Sequence, residues 1–421
     1  MSSAAGLLHF IASAAGLAAN ASSPSLQNPF PFDPGFNISA VAALAQELPK
    51  ASWEFGTATE ALLELHNPAY SVFGPSALVF PVPALDASTI PSLSYAQSHI
   101  TFGTSGLSNG AADGAVGDPA SLGVGATMLA KTNASFAAAC QQEIAYLVSG
   151  APRWPNGAIS QRADTLALWA DFMYMAPPFI AYFAAAADTQ TNETLLELAY
   201  QQSALYREVL LIGTNASTPS PLNTSTTGGR WHHIVGSSSA DPGLWSTGNG
   251  WAAAGMARVL ATIVKAPKAQ NSASGWRAAA ISNLTGWIKE IIDGARASPP
   301  DLGLLRNYLN DTTQPADGHG FGETSGSALL ASVAYRMVVL SPNSESFPAK
   351  TYIPWADGIR RALGSNGHIT SNGTATPAVN PEGWLDTTPL TSGSPEGQNF
   401  VVLMYAAWRD CVWAELCQLD A

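Results

Sequence analysis

The stretch LWADFMYMAPPF, residues 168–179, decides how this chain is read. It sets one acidic side chain, Asp171, among Trp169, Phe172, Tyr174 and two methionines, and closes on the pair Pro177 and Pro178. Proline lacks an N–H and clashes one turn back, so a helix is expected to end, kink or restart near residues 175–177. Asp171 then lies close to an element end, where loops and solvent can reach. Left buried, ionised and unpaired, it would cost on the order of several kcal/mol. It therefore either caps a helix, a role that favours Asp, or does chemistry.

Outward from this stretch the chain is helical. Apolar residues recur at spacings of three and four over residues 38–48, 53–66, 134–148, 195–211, 251–264, 276–292, 327–339, 354–363 and 398–416. Clusters of Gly, Pro, Ser and Thr separate them, as at 101–123 and 214–229. Residues 78–82 make the best strand pattern, and their prolines demote it. Helix pairs without strands imply a bundle, a solenoid or a closed ring of hairpins. A solenoid needs a fixed repeat, and none is evident, so an all-α toroid of hairpins with irregular, site-building loops fits best. No charge run or shift of composition divides the chain into domains.

Composition excludes whole classes of function. Of 421 residues 47% are hydrophobic and 11% charged, enough for one large core. The formal net charge is −12, from 18 Lys and Arg against 30 Asp and Glu, which argues against nucleic acid and anionic membrane as partners. Residues 1–21 are small and apolar and end in Ala19-Asn20-Ala21, the pattern of a cleaved secretory leader, although no basic residue precedes it. Nine Asn-x-Ser/Thr acceptors, at Asn20, Asn37, Asn133, Asn192, Asn215, Asn223, Asn283, Asn310 and Asn372, point the same way, to an N-glycosylated secreted protein. Past the leader no apolar run reaches membrane-spanning length. Three cysteines allow at most one disulfide; Cys411 and Cys417 are awkwardly spaced for a bridge within one straight helix. Metal-ligand spacing is absent.

Two further passages carry candidate chemistry. Residues 229–263 begin Gly229-Arg230-Trp231-His232-His233 and run through Trp245, Thr247, Asn249 and Trp251 into an apolar helix. Ser246, Thr247 and Asn249 are candidate caps, which places Trp245 and Trp251 at a helix mouth suited to stacking on sugar rings. Adjacent His232 and His233 make a poor zinc pair, but one could carry a proton, and Arg230 could hold a carboxylate bidentately. In residues 317–331, Glu323 and Ser325 open an apolar helix and are read first as its caps.

At these three passages the chain resembles the unsaturated rhamnogalacturonyl hydrolases, glycoside hydrolase family 105 of the six-hairpin glycosidase group. Trp169, Asp171, Tyr174, Met175, Ala176, Pro178 and Phe179 look like that family's W-x-D-x-x-Y-M-A-x-P-F block. Trp245, Gly248, Asn249, Gly250 and Trp251 are similar to its W-A-R-G-N-G-W block, and residues 323–328 to its E-T-S-G-S/T-A block. The blocks occur in family order from Trp169 onward; the first 130 residues carry none.

The resemblance implies a single (α/α)6 barrel over residues 22–421, with the site in a funnel at one end of the inner helices. It implies Asp171 as general acid/base with His233 beside it. Trp169, Tyr174, Arg230, His232, Trp245, Thr247, Asn249 and Trp251 would surround the sugar. The implied reaction is hydration of the double bond of a terminal 4,5-unsaturated uronic acid, by a monomer acting on an oligosaccharide without metal or organic cofactor. Thr247 stands where the family block often carries Arg, and Thr cannot replace a bidentate cation. Arg230, Arg162 or another cation must take over, or the substrate lacks that carboxylate. A glycosidase pairing Asp171 with Glu323, or a non-catalytic glycan-binding toroid, is the alternative.

Overall fold

The structure, a computed structural model, describes residues 25–103, 106–110, 114–187, 191–212, 228–267, 275–341 and 344–420. The leader expected over 1–21 and the acceptors Asn20, Asn215 and Asn223 lie outside them. Among the described residues, twelve helices of seven residues or more alternate between two layers. The outer helices are α1 (Ile38–Glu47), α3 (Pro91–His99), α5 (Ala134–Ala145), α7 (Glu193–Leu210), α9 (Trp276–Arg296) and α11 (Ala349–Ser365). Each is followed by an inner one: α2 (Ser52–His66), α4 (Gly123–Leu129), α6 (Phe172–Ala185), α8 (Ser246–Lys265), α10 (Thr324–Leu340) and α12 (Pro395–Trp413). Around the ring α2 packs on α4, α4 on α6, and so on to α12, which closes back on α2. The chain thus folds as the all-α six-hairpin toroid that its pattern implies.

Burial separates the two layers. Helix α8 buries 19 of its 20 residues, whereas α9 buries 8 of its 21, along a single stripe. An inner helix is covered all round by its hairpin partner and its two ring neighbours, so it is mostly apolar or small on every face, and the charges it does bury, such as Arg258, are paired. Glycine serves where two inner helices touch. A Cβ on Gly255 of α8 would stand 1.9 Å from the Met173 carbonyl oxygen of α6. One contiguous core runs from Ile38 to Cys417.

Three local expectations are corrected. Helix α6 runs unbroken through Pro177 and Pro178. Pro177 cannot donate to the carbonyl of Met173, four residues back, and Gly255 of the neighbouring helix packs directly on that carbonyl. The core holds the helix where the sequence alone would break it. Residues 78–82 form no strand, because a short helical turn occupies Ser76–Val79. Cys411 and Cys417 are bridged, with Cα atoms 5.2 Å apart, and Cys140 is free and buried. Helix α12 ends at Trp413, and Leu416 and Cys417 turn back to donate to the Cys411 carbonyl at 3.1 and 3.2 Å. The two cysteines therefore do not share one straight helix.

The inner helices all start at the same end of the ring. A Cβ on Gly326 of α10 would meet Ser246 of α8, Gly397 of α12 lies against Thr324 and Ser325, and Trp53 of α2 donates to Glu396 of α12. Their positive dipole ends converge there, a setting that favours negative charge. Two antiparallel ribbons decorate the fold: β1 (Thr101–Phe102) with β2 (Leu107–Ser108), and β3 (Ala167–Trp169) with β4 (Ile234–Gly236). The second matters for the site, since its register sets Trp169 opposite Ile234, next to His233.

Candidate active site

Asp171 occupies the N-cap position of α6, yet its side chain caps nothing. Its backbone is already helical, with φ −57° and ψ −38°, and its carbonyl accepts from Tyr174 N–H at 2.9 Å, while its carboxylate accepts nothing from the first turn. The side chain is 16% exposed, and its Oδ2 lies 3.2 Å from Nε2 of His233. That approach lacks the alignment of a full hydrogen bond. The capping alternative is thereby removed, and a partly exposed carboxyl group is left at the helix-start end of the ring with one oxygen against an imidazole.

His233 is almost fully buried and held on its other side. Its Nδ1 is 2.9 Å from Oδ2 of Asp241, which also accepts from the Tyr308 hydroxyl at 2.6 Å, while Oδ1 accepts from Gly243 N–H at 2.9 Å. Backbone bonds make this rigid: Ile234 and Asp241 exchange both N–H···O bonds, His233 N–H donates to Gly243, and Ala170 N–H donates to His233. Burial alone would pull the His233 pKa down, but the nearby carboxylates of Asp171 and Asp241, the latter hydrogen-bonded to it, outweigh it and hold it above its ordinary value. For Asp241, burial pushes up, and its bonds from His233 and Tyr308 win and keep it below the usual carboxylate range.

Aromatic rings wall the site. Trp384, in the loop after the turn Pro381–Gly383, stands edge-on to Trp169 and to His233, with ring centroids 5.3 Å away in each case. Trp245 packs on the other face of His233 at 4.4 Å. The indole N–H groups of Trp169 and Trp384 have no protein acceptor. Glu396, in the first turn of α12, is 4% exposed and accepts from Trp53 Nε1 at 3.2 Å. Burial, then the charges of Asp171 and Glu54, push its pKa well above the ordinary carboxylate value.

Of the residues expected around the sugar, Trp169 lies beside Asp171, and several do something else. Trp251 is fully buried between Tyr174 and Phe400, at 4.7 and 4.6 Å. Tyr174 is itself buried, its ring 4.9 Å from the Arg258 guanidinium. Thr247 donates to Glu323 at 3.2 Å, and Asn249 bonds the backbone of Trp231 and Trp245 in three places. Trp245 gives its N–H to Asn307 at 2.8 Å. The first turn of α8 lies inside the ring of helix starts, covered by the loop before it, so these side chains build the floor and offer a sugar no surface. Arg230 reaches outward to Ser298 at 3.4 Å, Arg162 pairs with Asp164 at 3.3 Å, and His232 bonds the Pro242 carbonyl.

Glu323 is a cap, as first read. It is fully buried and accepts from Ser325 N–H at 2.8 Å, Gly326 N–H at 2.7 Å, Thr247 Oγ1 and Val379 N–H. With its oxygens so occupied it cannot pair with Asp171 as a second catalytic carboxylate. Glu323→Ala is expected to lower unfolding free energy by about 2 kcal/mol, from a lost cap and unsatisfied buried donors, while the folded fraction keeps its kcat. A urea melt beside a steady-state assay reads both, and a kcat loss without a stability loss would reverse the assignment. Sequence reasoning missed Asp241, Tyr308, Trp384 and Glu396. Glu396 does follow Ser394-Pro395, a helix-start signal, but an acidic residue there ordinarily serves only the dipole. Among the described residues no group of three His, Cys, Asp or Glu gathers as metal ligands.

Residues 124–289, which carry Asp171, His233 and Asp241, match the profile of Glycosyl Hydrolase Family 88. The chain is a glycoside hydrolase with a six-hairpin fold. Its fold is similar to that of a possible member of the GH105 family from Salmonella enterica serovar Paratyphi A, with a TM-score of 0.61 at 14% identity over 88% of this chain and 92% of that one. A family 105 glycoside hydrolase from C. acetobutylicum gives 0.61 at 14% identity, over 88% and 99% of the two chains. An unsaturated glucuronyl hydrolase specific for heparin gives 0.56 at 10% identity, over 89% and 95%. At such identities the likeness of this hydrolase to them is one of fold. No curated protein sequence matches it.

Proposed function

We propose that the hydrolase releases a 4,5-unsaturated uronic acid from the non-reducing end of lyase-generated pectic oligosaccharides of the rhamnogalacturonan type. The observation that carries this is Asp171 itself, relieved of capping duty and partly exposed beside His233. Protonated Asp171 gives its proton to C4 of the double bond, and water adds at C5 and returns a proton to the carboxylate. The hemiketal so formed opens and the aglycone leaves. In this reading the positive ends of the converging helix starts meet the substrate carboxylate in place of the arginine that Thr247 displaces. A relative in fold is an unsaturated glucuronyl hydrolase, which supports the reaction class. Secretion belongs to the same proposal, supported by the exposed acceptors Asn37, Asn192, Asn283, Asn310 and Asn372.

Lyase-digested pectin offers the direct test. Its conjugated enol-ether acid absorbs in the ultraviolet, and the enzyme is expected to abolish that absorbance and leave saturated oligosaccharides intact. Cleavage of the saturated controls alone would favour a second reading, a two-carboxylate glycosidase with Glu396, whose pKa burial raises, as the acid. Binding of either set without turnover would leave a glycan-binding toroid.

A further inference from the structure

We propose that Asp241 and Tyr308 are positioning residues that control where the proton between His233 and Asp171 resides, and so set the alkaline edge of activity. The inference rests on Asp171 being the acid of the reaction. His233 lies between two carboxylates, 2.9 Å from Asp241 on Nδ1 and 3.2 Å from Asp171 on Nε2. Its Nδ1–H is committed to Asp241. One further proton is shared across the Nε2 side, either on His233, which makes an imidazolium facing ionised Asp171, or on Asp171, facing a neutral ring. Only the second arrangement arms Asp171.

Asp241 decides between them through its charge. An anion held against Nδ1 stabilises the imidazolium and draws the shared proton onto the ring. Tyr308 opposes this, because its hydroxyl donates to Oδ2, the same oxygen that receives the His233 N–H. The two donors compete for one oxygen, and each weakens the other's bond. Tyr308 therefore softens the pull of Asp241 and returns the proton toward Asp171. Other titratable groups around the relay are few. Asp171 acts on Tyr206, Tyr308 and Glu396, and the His319 ring lies against Tyr308 at 4.7 Å. The rings packed on His233, those of Trp169, Trp245 and Trp384, do not titrate.

Opposite substitutions should then move the edge in opposite directions. Tyr308→Phe leaves Asp241 a stronger acceptor, so the shared proton is held to higher pH. The alkaline limb of kcat/KM is expected to rise by about one pH unit, the size of one hydrogen bond to a charged group. The kcat of the same variant falls several-fold, because the proton sits on His233. Asp241→Asn removes the anion, and the limb should fall by one pH unit or more, with a lower kcat because the amide can reverse the tautomer. A merely structural pair would lower both rates and leave the limb in place.

The His233 ring titration, followed by NMR without substrate and assigned with His233→Gln, reads the same shifts independently of turnover. Shifts of opposite sign in the two variants sustain the proposal. Unmoved limbs, or two moving the same way, overturn it. NMR shifts of the expected signs in an enzyme that leaves unsaturated uronides untouched would sustain the relay and overturn the reaction proposed for it.

Discussion

Asp171→Asn is expected to lower kcat by about 10²- to 10⁴-fold with little change in KM, the range for removing a positioned general acid. The substitution keeps shape and polarity and removes the transferable proton. What makes the result decisive is the expected absence of a second effect. A capping Asp replaced by another residue costs about 1 kcal/mol of stability, but the carboxylate of Asp171 receives no bond from the first turn of α6. Asn can stand beside His233 as well as Asp does, so the thermal midpoint should stay where it is. Wild-type and variant should be compared on the same unsaturated oligosaccharides, with a melting curve for each. A variant that melts early and turns over normally would return Asp171 to a structural role. Unchanged kcat and unchanged stability together would remove it from the site altogether.

How much of this is legible in the sequence depends on the scale of the interaction. The helices are mostly written in local periodicity, which survives in any single window of sequence: nine of the twelve lie where the pattern places them, and α3, α4 and the unbroken α6 do not show in it. Pro177 and Pro178 show the limit of local rules. A double proline predicts a break, and the helix persists because Gly255, far away in sequence, covers the carbonyl left without a donor. The same limit governs the site. Trp169, Asp171 and His233 were legible because each sits in a compact block. Thr247, Asn249 and Trp251 sit in an equally clear block, yet they hold the floor together, and a block cannot say which of its residues face inward. Asp241, Tyr308 and Trp384 come from three separate loops. Asp241 and Tyr308 are 67 residues apart, and only the closing of the ring brings that hydroxyl to that carboxylate.

At the opposite end of the inner helices, Arg336→Met is expected to lower unfolding free energy by about 3–5 kcal/mol, as for a buried ion pair that loses one partner. Arg336 is 4% exposed and holds two carboxylates, Glu64 at 2.6 Å and Asp410 at 2.5 Å. Arg258 shares Glu64 and reaches Glu60, and Arg409 shares Asp410, so one charge network ties α2, α8, α10 and α12 across the ring. Burial pulls the Arg336 pKa down, but Glu64 and Asp410 outweigh it and raise it, so the cation stays charged and its loss strands anions in the core. Against a typical net stability of about 5–15 kcal/mol that is a large fraction. Arg336→Lys keeps the charge but lacks a fork to span two carboxylates, so its loss should be smaller. Arg336 follows the cap Glu323 by 13 residues, about 20 Å along the helix, so the chemistry at Asp171 should not feel the change. A lower urea midpoint with unaltered kcat per folded molecule is the expected pair of readings. A wild-type midpoint would mean that the network contributes no net stability, and a reduced kcat in the folded fraction would mean that the two ends of the barrel are coupled.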